Sequence, residues 1–431
     1  MAVSWFWSGR QTDDGILVTA KLSASAASCR LVVSLDSGMT LPIYGAAATP
    51  DSDLYVKMSI SGLTANTTYF YQVEIDNVVD TSLTGEFKTF PTAGQPASFS
   101  FASATCSASA SNSKVFLNIA AKRPLIFQHV GDKHYYNVGS NTPASFRTAY
   151  NACFTANQTA FHSVVPMSYT WDDHDFGGNG SYALSAARPA ANLVYRQVVP
   201  SHDLPDTFGI YHTYDIGLIR FIVTDTRTFR SITSDTDGRH KTMLGPVQKQ
   251  WFKDLIESSV TDGIRAIVWA NASQWTIEEN WDGAVDPADS WRTYAYERAE
   301  LARHMRKVGC PPVVIVSGDA HELAARLDYE VGGMRFAVYQ NAALDGSQNT
   351  RGGYWDYGPT SGSGHYGMLT FDDNGDDILT LRWEGYEMYS TSTGAERVLY
   401  DSTIDLVERQ ILPSAPFHHD RRRSTPISVS D

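Results

Sequence analysis

The sequence predicts a layered α/β domain preceded by a small all-β sandwich. Three observations predict it. Short apolar runs alternate with turn clusters up to Phe90, apolar strands alternate with amphipathic helices after Ser98, and several later strands end in a residue type that does chemistry. With 431 residues, 42% hydrophobic and 12% aromatic, the chain can bury a sizeable core and is long enough for two domains.

From Trp5 to Phe90 the strand candidates are "ILVTAKL", "CRLVVSLD", "LYVKMSISGL", "TTYFYQVEI" and "GEFKTF", short and bounded by turn residues as in an antiparallel sandwich. "LTANTTYFYQVEI", with Tyr69 and Tyr71 at strand spacing, and the closing "GEFKTFP" resemble a fibronectin type III-like module. "PTAGQPAS", Pro91 to Ser98, reads as the linker.

Beyond it, "TPASFRTAYNACF" and "GPVQKQWFKDLIESS" read as helices with Pro in the first turn, and "RTYAYERAELARHMRKVG" as one that ends in basic residues and Gly309. Apolar strands lead into Cys106 ("SFSFASATC"), Asp132 ("PLIFQHVGD") and the acids of "VVPMSYTWDDHD". Others lead into Asp225 and Arg227 ("LIRFIVTDTR"), Asn271 ("IRAIVWANAS"), and Asp319 with His321 ("PPVVIVSGDAH"). Loops after the carboxyl ends of strands share one edge of an α/β sheet, so these residues are expected to converge. Cys, Asp, Tyr, Asn and His brought together point to metal.

The net charge of −13 repels a phosphate backbone, so no nucleic-acid surface is expected, and a small anionic substrate would need local positive charge of the kind a metal supplies. Four scattered cysteines are too few for a disulfide framework, with one bridge left open. No signal peptide and no apolar run of spanning length is visible in the chain.

Each motif also has a plainer reading. Cys106 alone is most simply a small buried hydrophobe. Asp132 alone is a Gly-Asp turn, and Asp319 alone a helix cap beside a stray histidine. Arg227 and Arg230 beyond Asp225 can contact an anion or pair with an acid, the pair being the expectation for Arg230. His365 reads as a surface histidine. His418, His419 and Arg421 to Arg423 read as a solvated tail.

Taken together and in order, "ATCSAS", "GDKHYYN", "WDDHDFGGN", "TDTRTFR", "LGPVQKQWF" and "SGDAH" resemble the PhoD-like family of alkaline phosphatases and phosphodiesterases, within the calcineurin-like metallophosphoesterases. The resemblance implies a fibronectin type III-like sandwich of PhoD N-terminal type over 1–92, a four-layer βα sandwich catalytic domain over 96–412, and a polar tail over 413–431. It implies Fe3+ with Ca2+ as cofactors. Cys106 and the phenolate of Tyr135, three residues beyond the Gly-Asp aspartate, would hold iron, and Asp132 would bridge. Asp172 or Asp173 or both, with Asn179, Asp319 and His321, would complete the metal set.

In the same resemblance His174 stands beside the transferring phosphoryl group with a transition-state or acid role; electrostatically, Arg227 or His174 would steady its equatorial oxygens. Asn271 and His134 are the expected substrate contacts, although Lys133 and His134 replace the aromatic or apolar residues usual in the family. The implied reaction is hydrolysis of phosphoric monoesters or diesters by in-line attack of a metal-activated hydroxide. The alternatives are a phospholipase D-like phosphodiesterase and an inactive binding or adhesion protein. Family members are usually secreted or periplasmic.

Overall fold

The computed structural model describes residues 2–276, 289–346 and 355–406. The tail expected over 413–431, with its histidines and arginines, lies outside the described residues. So do most of "NWDGAVDPADSWR" and the start of "NTRGGYWDYGPTSGSGHYG".

The N-terminal part comprises β1 (Val3–Gly9), β2 (Ile16–Leu22), β3 (Cys29–Ser34), β4 (Ile43–Tyr44), β5 (Tyr55–Ile60), β6 (Thr68–Ile75) and β7 (Val78–Lys88). They form two antiparallel sheets, β1-β2-β5 and β4-β3-β6-β7, closed over Phe6, Val18, Leu31, Val33, Met58, Tyr71 and Val73. The alternating pattern misses β1 for a physical reason. "VSWFWSG" is buried on both faces, so it carries no polar-out alternation.

The second part begins with β8 (Phe99–Ala104), α1 (Val115–Ala121), β9 (Phe127–Val130), α2 (Pro143–Ala152), α3 (Ala156–Val164), β10 (Met167–Thr170), α4 (Asp173–Phe176) and α5 (Arg188–Val198). It continues through β11 (His212–Ile216), β12 (Ile219–Val223), α6 (Gly245–Thr261), β13 (Ala266–Asn271), a 3-10 turn (Trp291–Tyr294), α7 (Ala295–Val308) and β14 (Val313–Ser317). It closes with β15 (Glu322–Val331), β16 (Met334–Asn341), β17 (Tyr357–Ser361), β18 (His365–Asp373), β19 (Leu379–Met388) and β20 (Glu396–Asp405).

One sheet runs β10-β9-β8-β18-β19-β20 and the other β11-β12-β13-β14-β16-β15-β17. Their inner faces share one core, in which Phe101, Phe371 and Trp383 of the first meet Phe221, Val268, Val316 and Tyr339 of the second. The helices α6 and α7 cover the outer face of the second sheet. On α6 the buried Gln248, Phe252, Ile256 and Ser259 recur at helical spacing, and α7 stops at Gly309, whose φ of +65° ends the helix. The helices α1, α2, α3 and α5 cover the first sheet. The result is helix, sheet, sheet, helix: the four-layer βα sandwich.

The sandwich does not hang free. Trp5, Trp7 and Tyr55 belong to the same core as Phe127, Phe161, Tyr169 and Trp171, and Trp5 stacks on Phe154 with ring centroids 3.8 Å apart. Hydroxyls of Ser8 and Tyr71 donate to the carbonyls of His162 and Ser163 at 3.0 and 3.1 Å. Lys57 of β5 donates at 2.6 Å to the carbonyls of Arg196 and Val199 at the carboxyl end of α5, where a cation meets the negative end of the helix dipole. All four cysteines are buried and none is joined to another in a disulfide, so the open bridge is not formed. No helix among the described residues is long and apolar enough to cross a membrane.

Burial lowers the Lys57 ammonium from its ordinary 10.5 to about 8. Between those values the unfolded chain holds a proton that the folded chain lacks, so this group adds stability as pH rises from about 8 towards 10.5. Lys57→Met should therefore show its most favourable melting temperature relative to the parent below pH 8, the difference shrinking as pH rises. Parallel melting profiles for the two proteins would contradict this.

Candidate metal centre

The strands deliver the chemistry-bearing residues to one edge. Parallel pairing sets Ala104 against His129 and Val130 against Thr170 in the first sheet, and Asn271 against Ser317 in the second. The loops that follow carry Cys106, Asp132 and the acids after Trp171 from one sheet, and Asp319 and His321 from the other.

There the donor atoms gather. Those of Cys106, Asp132 and His321 lie within 4.8 Å of one another, and those of Asp132, Asp173 and His174 form a second such group. Asp132 is common to both, which is the placement a bridging carboxylate needs. The Tyr135 hydroxyl lies 2.9 Å from His321 Nε2 and the Cys106 sulfur 3.9 Å from Asp132 Oδ2. Tyr135 is half-buried, and its ring centroid is 4.4 Å from that of His174.

The backbone is bent to achieve this. Cys106, Asp132, Asp319 and His321 have φ of +61°, +54°, +68° and +53°, in the left-handed region that costs a side-chain-bearing residue roughly 1–3 kcal/mol. Such turns aim successive side chains back across the sheet edge. Gly131, at φ +99°, lets two loops touch: a Cβ there would lie 2.5 Å from Asp172 Cβ. Gly318 is closed in by the carbonyls of Val130 and Ala272, at 2.6 and 2.9 Å from the same imagined atom.

The electrostatics call for a cation. Burial raises the carboxyls of Asp132, Asp172 and Asp173 above the ordinary range, and neighbouring acids raise each of them further, while Arg227 opposes the shift in Asp172 and Asp173. Burial pushes the Cys106 thiol up to about 12 and raises the Tyr135 phenol, with Asp132 and Cys106 adding to the latter. Asp132 Oδ1 and Asp172 Oδ2 are buried without a hydrogen-bond partner. Buried, unsatisfied carboxylate oxygens beside a thiol, a phenol and imidazoles fit a metal, which would favour every deprotonated form at once.

The other expected site residues fall in different places. His174 is half-buried, with Nδ1 2.5 Å from Asn137 Oδ1. Asn179 is exposed, one residue before Gly180, whose amide donates to Asp173 Oδ2 at 2.7 Å. Arg227 is fully buried, bonding to Asp172 Oδ1 at 2.5 Å and to Asp289 at 2.9 Å, and Arg230 also pairs with Asp289. The ion pair expected of Arg230 is thus shared by Arg227. Asp225 accepts from Trp171, Ile210 and Thr228 and so holds its loop.

Asn271 is not brought to the cluster by its bonds. Its amide donates to the Ser273 carbonyl and its oxygen accepts from Trp291, at 2.9 and 3.1 Å. His134 is completely buried, its ring edge-on to Tyr136 and Tyr150. His365 is also completely buried, with Nδ1 3.2 Å from the Ala342 carbonyl, so the surface reading of it is corrected.

Sequence reasoning passed over three supports. Asn137 orients His174, and Asp289 balances Arg227. Asp175 accepts from the amides of His134 and Asp172 at 3.0 and 3.2 Å and so ties two loops. Asp175 was visible as the last acid of "DDHD"; the other two carry no local signal.

A family model described as PhoD-like phosphatase matches residues 101–340, and one described as PhoD-like phosphatase, N-terminal domain matches residues 6–91. Among solved structures, one described as the structure of PhoD is 18% identical and superposes with a TM-score of 0.75, covering 95% of this chain and 92% of that one. Purple acid phosphatase PPD1 from yellow lupin (Lupinus luteus) seeds is 14% identical with a TM-score of 0.64, covering 97% of this chain and 78% of that one. At these identities the two structures attest the fold. Comparison with curated proteins returned no match.

Gly131→Ala should cost about 1–3 kcal/mol from the strained φ alone and more from the clash with Asp172. A lowered melting temperature together with reduced bound metal per chain is the expected result, read by calorimetry and elemental analysis.

Proposed function

The chain belongs to the PhoD-like phosphatase family, and from that premise we propose how its buried acids serve a metal-dependent hydrolysis of phosphoric esters. That it is such a hydrolase follows from the family. The observation that carries the residue roles is the pair of donor groups sharing Asp132, with two carboxylate oxygens left unpartnered inside the protein.

In this reading Asp132, common to both donor groups, would hold metal together with each of them. Cys106 and His321, with Tyr135 and Asp319 added by the family resemblance, would hold one cation. Asp173, with Asn179 and the Asp172 oxygen not held by Arg227 added by the same resemblance, would hold the other. Phenolate and thiolate beside a carboxylate suit Fe3+, and carboxylates with an amide oxygen suit Ca2+. When bound, the cations draw charge from the phosphoryl oxygens and make a water acidic enough to attack phosphorus.

The chain's own groups then do the following. Arg227, paired on both sides, opposes the upward shift of the Asp172 carboxyl and orients it, and so acts as a positioning residue instead of meeting the substrate oxygens directly. His174, with Nδ1 engaged by Asn137, leaves Nε2 to face the departing oxygen, where a general acid would act. Asp175 keeps the loops of His134 and Asp172 in register, which fixes the separation of the two donor groups. A burial this complete excludes bulk water from the acids and strengthens each charge interaction at the centre.

Asp132→Ala should lower turnover of an aryl phosphate by about 10³-fold or more. In metal-free protein the same change should raise the melting temperature, because it removes one of several mutually repelling buried acids. Undiminished, metal-dependent hydrolysis by the folded variant would refute the assignment. An aryl monoester, an aryl diester and a phosphatidylcholine, tested side by side, separate the substrate classes.

If Tyr135 holds Fe3+, the iron-loaded protein absorbs in the visible through phenolate-to-iron charge transfer. Tyr135→Phe should abolish that band, and a band that survives the substitution rules the ligand out.

A further inference from the structure

The residue that follows the bridging aspartate is an unusual one to bury. Lys133 is 1% exposed, and its ammonium makes no ion pair with a carboxylate among the described residues. Its nitrogen instead lies 3.0 Å from His162 Nε2, and 5.0 and 5.9 Å from the ring centroids of Trp7 and Phe154. Trp7 and His162 are themselves completely buried. An ammonium taken out of water costs free energy unless its donors and its charge are both met, here by one imidazole nitrogen and two ring faces.

The cradle comes from both parts of the protein. Trp7 belongs to β1 of the N-terminal sandwich, whereas Phe154 and His162 flank or lie on α3 of the second part. The His162 carbonyl accepts from Ser8, next to Trp7, so the imidazole is tied to the same strand that supplies the indole. At its other end Lys133 is continuous with Asp132, whose backbone is held at φ +54° and whose carbonyl accepts from the Ser107 amide at 2.7 Å. The Lys133 carbonyl is approached by the Cys153 thiol at 3.6 Å.

We infer that Trp7 of the N-terminal sandwich is a positioning residue for the metal centre, holding Asp132 in place through the buried ammonium of Lys133; this rests on the functional reading above. An apolar side chain of the same length could slide in such a pocket. An ammonium cannot, because its donor must stay on the imidazole and its charge over the rings. The sandwich is thereby a structural part of the catalytic centre and not a detachable appendage.

The test uses the full chain and two readouts that do not depend on turnover. Ca2+ affinity is measured by competition with a chromophoric chelator, and amide exchange is followed in the segment 131–134. Lys133→Met fills the same volume without the charge, and should keep or raise the melting temperature while weakening Ca2+ binding about tenfold and speeding exchange in that segment. Trp7→Leu should likewise weaken Ca2+ binding and speed that exchange, while lowering the melting temperature because it empties part of a packed core; Trp7→Phe, which keeps a ring face, should restore most of the affinity and exchange.

Tyr71→Phe breaks a different bond across the same boundary and should leave both readouts unchanged. Parent-like affinity and exchange in Lys133→Met overturn the inference even if Trp7→Leu does not fold. Should the parent protein bind no Ca2+ and hydrolyse no phosphoric ester, the functional reading fails, and the exchange of 131–134 in Lys133→Met still decides the role of Trp7.

Discussion

Carboxylates that repel one another inside a low-dielectric interior are the constraint around which the second part of this protein is arranged. Asp132, Asp172 and Asp173 are all buried; Asp173 raises the pKa of the other two, Asp172 raises that of Asp132, and Asp173 is itself raised by Asp289 and Asp319. Arg227 answers part of that charge and is itself divided between Asp172 and Asp289. In the proposed reading the remainder would be answered by cations, at the unpartnered oxygens of Asp132 and Asp172. Without metal the centre is an energetic liability; with it, the same repulsion becomes affinity.

The four layers exist to hold that cluster still. Parallel strands in both sheets send their carboxyl ends to the same edge, and the shared inner core of Phe101, Phe221, Phe371 and Trp383 locks the two sheets face to face. Left-handed turns at Cys106, Asp132, Asp319 and His321 place strain at the site itself, where only surrounding packing can maintain it. The sandwich adds to that packing through Trp5, Trp7 and Tyr55, which complete the helical side of the first sheet. A module that reads from sequence as a separate neighbour therefore forms part of the wall behind the site.

The sequence by itself determined the fold class, the family and the strand-end acids, because periodicity, turn residues and motif order are local properties that survive being read in one dimension. It located "GDKHYYN", "WDDHDFGGN" and "SGDAH" without any knowledge of contacts. Tertiary structure alone decided which polar groups face the cluster and which are committed elsewhere. Asn271 holds Trp291, His134 lies between tyrosines, and Arg227 is enclosed by Asp172 and Asp289, although in sequence each sits at a strand end or beside a ligand, as a site residue would. It also decided the supports: Asn137 beside His174, Asp289 beside Arg227, and Trp7 over Lys133 are meetings of segments 37, 62 and 126 residues apart. No local pattern encodes such a meeting, because it is set by how the layers pack.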